Sequence, residues 1–385
     1  MDVANRFQEI KVKGFRRLYD VHLGLKGLCV LIGANGVGKT SLLDIFGLLA
    51  ASAEGRLSEK LSELGGLASI LTLDKSKQLS IELCMSVPNY KPLIYTLTLY
   101  PKGVSYEIRE ESLTQQRAGR SQPFKHIQSH GNDIKYFEAD KNKLLQPTWE
   151  HKPLETSLAQ VPRMFRAPAE FRSRLASSTF YHVLNVEPQS PVRLPQPLRP
   201  ATLPGKDGED LISCLFYLRE ADRDRFEAVE DALRAAFSAF VRLDFPPVAA
   251  GTLSMTWKDR NFSHPLYMHQ LSEGTLRFLW LTTLLQSPGL TAVTLLDEPE
   301  VSLHPELLNL LAGLMREASS RTEVIVATHS DRLIRFLHPN ELVVMDLADD
   351  GSAQASWADA LDLDQWLTEY TLDQVWSMGR LGGRS

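Results

Sequence analysis

The sequence predicts an α/β fold with a mixed sheet and an inserted lobe, and three observations lead there. Leu28-Cys29-Val30-Leu31-Ile32 is a continuous apolar run suited to a buried strand, and it passes through a glycine-rich octapeptide into a helical pattern. Residues 79–85 and 93–100 alternate apolar and polar side chains, as antiparallel strands do. In the last third, apolar strands at 292–296, 324–327 and 341–345 alternate with helical stretches, the pattern of a largely parallel sheet. The expected organisation is an N-terminal lobe at 1–110, an inserted and partly helical lobe at 111–250, a C-terminal lobe at 251–346 and an acidic tail at 347–385.

Taken in order, residues 7–12 and 21–25 read as short strands on either side of the turn region Gly14-Phe15-Arg16-Arg17. The helix after the glycine-rich segment extends through Leu48 and Leu49, and a Ser-, Glu- and Gly-rich connection runs on to about Gly66. The alternating runs, continued by 103–108, form a meander. From 110 to 206 the pattern weakens. Within 160–206, Arg163, Arg166, Arg172, Arg174, Arg193, Arg199 and Lys206 face only Glu170 and Glu187, which fits a basic surface or a solvated charge run equally. Asp207-Gly208-Glu209-Asp210 can cap a helix, and 211–218 and 226–240 read as amphipathic helices without coiled-coil heptads. Strand-like residues near 253–257 and helices at 272–285 and 305–318 follow. From Glu341 onward, nine Asp or Glu residues oppose Arg380 and Arg384, with Trp357, Trp366 and Trp376 between them. These tryptophans suit core anchors of two short helices or a docking surface.

With 385 residues the chain can bury a sizeable core, and a formal net charge of -5 argues against wholesale polyanion binding. No apolar run reaches the roughly 18 residues of a membrane span, and residues 1–6 carry no secretory pattern, so a soluble cytoplasmic protein without a membrane partner is expected. Cys29, Cys84 and Cys214 lie among apolar neighbours without metal-ligand spacing, which fits core thiols in a reducing compartment.

The octapeptide Gly33-Ala34-Asn35-Gly36-Val37-Gly38-Lys39-Thr40 fits G-x-x-x-x-G-K-[ST] at every fixed position, with the strand before it and the helix after it that a phosphate-binding loop requires. Backbone N–H groups turn inward around phosphate oxygens, Lys39 reaches the β- and γ-phosphates, and the Thr40 hydroxyl ligates Mg²⁺. Asn35, Gly36, Val37, Gly38, Lys39, Thr40 and Ser41 are therefore the expected nucleotide contacts, and ATP and Mg²⁺ the expected ligands. The strand ending at Leu296 delivers Asp297 and Glu298 at its carboxyl end, where ligands bind in open α/β sheets. Asp297 is assigned to Mg²⁺ through water, and Glu298 to the attacking water as general base. In Ala327-Thr328-His329-Ser330, His329 follows a buried strand and is placed at the γ-phosphate by that context. By contrast His22, His126, His130, His182 and His338 read as surface or core residues. Leu271-Ser272-Glu273-Gly274-Thr275 opens a helix whose N–H groups attract phosphate, although alone it reads as an N-cap.

In their order, these motifs resemble the ABC-type ATPases. More narrowly, with Asp297-Glu298-Pro299-Glu300 followed by Ser302-Leu303-His304-Pro305, the chain resembles the SMC/RecF/OLD-like group often labelled AAA family ATPases of the AAA_21 type. The resemblance covers the chain to about residue 49 and again from about 268 to 346. It implies a P-loop NTPase of ABC-ATPase head type that hydrolyses ATP to ADP and phosphate in a composite site. Two heads meet head to tail, Ser272 and Gly274 act in trans on the partner's ATP, and Ser302 to Pro305 lie at the interface. It further implies Arg16 or Arg17 near the nucleotide and Gln160 as the metal- and water-sensing glutamine. Glu273 stands where a Gly is usual and Ala34 where a Pro is frequent, and neither change removes a donor or a metal ligand.

The function implied is that of an ATP-dependent homodimerising motor or sensor in DNA maintenance or anti-phage defence. It would act with a nuclease or Toprim-like effector in trans, with DNA a candidate partner. An ABC transporter motor is the alternative, but it predicts a Ser-Gly motif much nearer the phosphate loop than Ser272 is to Thr40. A noncatalytic nucleotide-binding scaffold is disfavoured by Glu298 and His329. OLD nucleases continue into a Toprim domain after the His motif, whereas the residues that follow here hold only Asp362-Leu363-Asp364, a weak metal candidate in a Trp-rich stretch. Residues 376–384 resemble the ends of some such ATPases, as a recognition tail.

Overall fold

The computed structural model describes residues 5–117, 119, 121–138, 141–290, 292–363, 366 and 368–382. Strands of its two large sheets and its longer helices are numbered in chain order. The first hairpin, β1 (Phe7–Phe15) and β2 (Leu18–Gly24), turns at Arg16, which has φ 47°. The fully buried β3 (Leu28–Ile32) follows and leads into α1 (Lys39–Ala53). After two short helices, Leu57–Glu63 and Leu67–Ile70, a meander begins: β4 (Leu79–Val87), β5 (Tyr90–Lys102), β6 (Ser105–Gln115), β7 (Phe124–His130), β8 (Asp133–Glu138) and β9 (Lys143–Leu145). It joins the first hairpin in an eight-stranded antiparallel sheet, ordered β2-β1-β4-β5-β6-β7-β8-β9. Along β4, Leu79, Ile81, Leu83 and Met85 are buried while Ser80, Glu82 and Cys84 are half-buried, the one-sided pattern that alternation encodes.

The second sheet carries the chemistry. Its strands are β10 (Thr179–Tyr181), β11 (Val293–Asp297), β12 (Glu323–Ala327), β13 (Leu342–Leu347) and β14 (Ala353–Trp357), with β3 in the middle of the order β10-β11-β12-β3-β13-β14. β10 through β13 run parallel, and β14 closes the edge antiparallel. Both faces are covered, which is why these strands are continuous apolar runs. Cys29, Leu31, Leu295 and Ile325 join the core shared with α1 and the antiparallel sheet. On the other face, Val30, Ile32, Leu296 and Val326 join the core of the helices α3 (Leu211–Ala221), α4 (Arg223–Ala236), α5 (Glu273–Gln286) and α6 (Pro305–Ala318), which follow α2 (Arg166–Ala176).

Two expectations change, and one open choice is decided. The boundary at residue 110 falls inside β6, β7 to β9 complete the N-terminal sheet, and β10 enters the parallel sheet, so 111–250 is not one inserted lobe. The alternation is hidden there by register shifts at Thr98/Leu99 and Leu113/Thr114 and by short, polar strands. Asp210 precedes α3, but its carboxylate pairs with Arg199 instead of capping the helix. The tail tryptophans are anchors. Trp376 is buried, and Trp357 donates Nε1–H to the Gly24 carbonyl at 2.9 Å with Lys26 3.9 Å from its ring centroid. Trp366 lies under Arg380. Asp364 falls outside the described residues, and among those described no group of three or more His, Cys, Asp or Glu could hold a metal.

Candidate active site

Parallel pairing brings the carboxyl ends of β10, β11, β12 and β3 to one edge of the sheet. The loop after β3 depends on glycine: Gly33, Gly36 and Gly38 have φ of 152°, 78° and 112°. A Cβ on Gly33 would also overlap the Met345 carbonyl oxygen of β13. Val37 is buried and anchors the loop, while Asn35, Gly36 and Thr40 face solvent and Ser41 is buried in the first turn of α1. Gly38 occupies the N-cap without a side-chain cap, and the first turn has no acid, so the opening N–H groups of α1 suit an anion. The Lys39 ammonium is folded onto its own loop, donating to the carbonyls of Gly33 at 2.7 Å and Ala34 at 2.9 Å. Burial pulls its pKa down to about 8, although Glu298 and Asp297 favour the charged form.

On β11, Asp297 pairs in register with Ala327 of β12, which places Glu298 beside the loop bearing Thr328 and His329. Glu298 has φ 50°, a strained value for a residue with a Cβ. Its N–H donates to the Ala327 carbonyl at 2.8 Å, and its own carbonyl accepts from Val301 N–H at 3.2 Å, so the turn is fixed at both ends. His329 Nε2 lies 3.1 Å from Glu298 Oε1. Burial and the Lys39 charge hold His329 below the usual imidazole range, against the pull of Glu298 and Asp297, which keeps it neutral at neutral pH.

Three supporting residues were given no role of their own in the motif reading. Glu300 is half-buried and accepts a hydrogen bond from the Thr328 hydroxyl, bracing the loop that carries His329, and burial raises its carboxyl pKa. Arg277, on α5, donates to the carbonyls of Leu184 at 3.3 Å and Val301 at 3.4 Å and to the Ser302 hydroxyl. Arg193 donates to the carbonyls of Val186 at 2.6 Å, His269 at 3.3 Å and Leu271 at 3.0 Å. The two guanidinium groups thus tie together the segment after β10, the start of α5 and the loop after β11.

Ser272 caps α5, accepting from Thr275 N–H at 3.2 Å and sharing a hydrogen bond with the Thr275 hydroxyl at 2.8 Å. Its hydrogen-bond partners among the described residues lie in its own helix, and its face is exposed. A Cβ on Gly274 would meet the Ser302 carbonyl oxygen at 2.8 Å, so glycine lets α5 abut the loop after β11. There Ser302 has φ 62°, and His304 caps α6 ahead of Pro305.

Gln160 is not in this group. Its amide accepts from Lys152 N–H at 2.6 Å and donates to the carbonyls of Lys152, Glu155 and Thr156. Thr156 in turn donates to the Ser52 carbonyl in the last turn of α1, at the far end of a 15-residue helix and roughly 20 Å from the phosphate loop by helical rise. The glutamine is spent on its own turn. His182 instead follows β10 at the sheet edge, with Nδ1 3.7 Å from Asp297 Oδ2. A Thr-Phe-Tyr strand signal before it lay in the segment whose pattern was weak. Arg16 pairs with Asp44 of α1 at 2.5 Å, and Arg17 donates to the Gly351 carbonyl. The basic window does not form one free face: Arg172 donates to the Ala159 and Val161 carbonyls, Arg174 pairs with Glu323, and Arg199 with Asp210.

Residues 28–335 match the family described as "AAA domain, putative AbiEii toxin, Type IV TA system" (AAA_21). No curated protein matches the chain. Among solved structures, an SMC head bound to the C-terminal winged-helix domain of ScpA is similar, with TM-score 0.54 at 14% identity over 91% of this chain and 97% of that one. The SMC head of Pyrococcus furiosus with an extended coiled coil, bound to the C-terminal domain of ScpA, gives TM-score 0.54 at 12% identity over 94% and 98%. The SMC head of Pyrococcus yayanosii with a coiled coil and joint gives 0.50 at 10% identity over 94% and 98%. At these identities the likeness is one of fold, that of an ABC-type ATPase head.

Proposed function

The chain belongs to the AAA_21 family of P-loop ATPases, and on that premise we propose that it hydrolyses ATP to ADP and phosphate as a nucleotide-dependent homodimer, serving as the motor or sensor of a defence system with an effector in trans. One observation carries the catalytic part. Lys39, Asp297, Glu298 and His329 converge from three parallel strands on one sheet edge, with Glu298 in a strained turn and His329 on its carboxylate. Such strain is kept where the surrounding structure enforces it for a task.

The donor set fits a magnesium nucleotide: a hydroxyl at the start of α1 and a carboxylate at the end of β11 are both hard oxygens. Bound Mg²⁺ offsets phosphate charge during in-line transfer of the γ-phosphoryl to water. Thr40 and Asp297 would hold the cation. Lys39 exchanges its loop carbonyls for phosphate oxygens, and the N–H groups of 35–40 take the remaining phosphate contacts. Glu298 Oε1 accepts the proton of the attacking water, while His329 keeps that carboxylate oriented and contacts the γ-phosphate side. Residues 272–274, whose exposed cap makes its hydrogen bonds within α5, would close the site of a second copy.

The defence reading draws support from the family description, which names a toxin of a toxin–antitoxin system. Support for a protein effector comes from the similar SMC heads, which are seen bound to domains of ScpA. With most arginines of 160–206 spent inside the fold, a protein partner is favoured over DNA. The test is Glu298→Gln, which keeps ATP binding but lowers hydrolysis by about 10²-fold or more. It also accumulates an ATP-bound dimer visible by light scattering. Turnover at the wild-type rate in this variant excludes Glu298 as the base.

A further inference from the structure

We propose that Arg193 is a positioning residue of the shared site: it holds the turn ahead of α5 so that Ser272 and Gly274 of one copy are set for the nucleotide bound by the other; this rests on the dimeric ATP-site reading above. The hydrogen bonds of the Ser272 hydroxyl among the described residues stay within α5, on Thr275. Burial of Leu271 and Leu276 seats the helix on its core, but apolar packing is non-directional, so the angle of the cap is left to hydrogen bonds. Those bonds act on the short turn Met268–Gln270 and the residue after it. Arg193 Nη1 donates to the carbonyls of His269 at 3.3 Å and Leu271 at 3.0 Å. Leu271 is the residue immediately before Ser272.

Arg193 stands on a fixed base. It ends the turn Pro191–Arg193, whose Val192 is fully buried and lies so close to Gly208 that a Cβ there would meet the Val192 Cβ at 2.8 Å. Gln196 donates to the Pro191 carbonyl at 3.0 Å, and Arg193 Nε donates to the Val186 carbonyl at 2.6 Å. With Nε committed to Val186, the planar guanidinium holds Nη1 in one direction, toward the carbonyls of 269 and 271. Its charge also adjoins the N-terminus of α5, where it adds to the field that an anion meets. The three acceptors, Val186, His269 and Leu271, include none of Lys39, Asp297, Glu298 or His329. Loss of the guanidinium therefore disturbs the cap offered to the partner and leaves the chain's own phosphate loop intact.

The test is Arg193→Met in the full-length chain, which keeps the apolar stem and removes the donors. The expected result is a fall in kcat of about 10- to 100-fold, the cost of misplacing a group by about 1 Å, with affinity for ADP unchanged within about twofold. Mixed in equal amounts with Lys39→Ala, the variant recovers up to about a quarter of wild-type activity, because in each mixed dimer the intact loop of one chain meets the intact cap of the other. The pair Lys39→Ala and Ser272→Arg, mixed alongside, reports on the shared site itself. Recovery with Ser272→Arg but not with Arg193→Met overturns the assignment and leaves the shared site standing. Wild-type turnover, or loss of ADP binding, in Arg193→Met alone overturns it equally. No recovery in either mixture overturns the shared-site reading and this assignment with it.

Discussion

Lys39 shows most plainly how single residues are set for their work. Its ammonium is almost fully buried, satisfied by two carbonyls of its own loop, and has a pKa lowered to about 8. Phosphate oxygens favour the charged form, so the bound pKa rises and nucleotide binding takes up a proton wherever free Lys39 is partly neutral. Uptake is expected to be small at pH 7, to grow through pH 8 and to approach one proton per site at pH 9. Calorimetry in buffers of different ionisation enthalpy measures it, and uptake that does not change across this range contradicts the assignment. The phosphate loop, Asp297, Glu298 and His329 were legible in the sequence because each is a residue type at a fixed spacing from a strand. His182, Glu300, Arg193 and Arg277 were not, since their roles arise from register and from carbonyls distant in sequence.

At the scale of elements, the rear of α1 is locked by one buried carboxylate. Glu111 of β6 accepts from Ser157 N–H at 2.6 Å, Leu158 N–H at 2.8 Å and the Tyr95 hydroxyl at 3.0 Å, while Thr156 holds the last turn of α1. Glu111→Ala leaves three buried donors unpaired, at about 1–3 kcal/mol each, so a loss of roughly 3 kcal/mol or more is expected in urea unfolding. A loss under about 1 kcal/mol contradicts this role for the carboxylate. Periodicity succeeded where an element is long and covered on one side, as in α6, whose observed span Pro305–Ala318 is the one read from sequence. It failed for β10, a three-residue strand whose place is decided by its parallel neighbour β11. Gln160 was implied by the resemblance and not by periodicity, and its position at the far end of α1 is set by tertiary contacts through Thr156 and Ser52.

Across the whole molecule, two cores share one sheet, and the loop, acid and histidine strands belong to both. Ser272 and Gly274 open α5, which is held to the loop after β11 through Ser302 and Arg277 and to the segment after β10 through Arg193. Such an arrangement suits a site completed by a second, symmetry-related copy. The most direct measurement is to mix two inactive proteins, Lys39→Ala and Ser272→Arg, and assay ATP hydrolysis. If the site is shared between subunits, each mixed dimer has one intact site, and equal mixing restores up to about a quarter of wild-type activity. If each chain completes its own site, the mixture stays as inactive as its components, and the dimeric ATPase proposed for this protein is wrong.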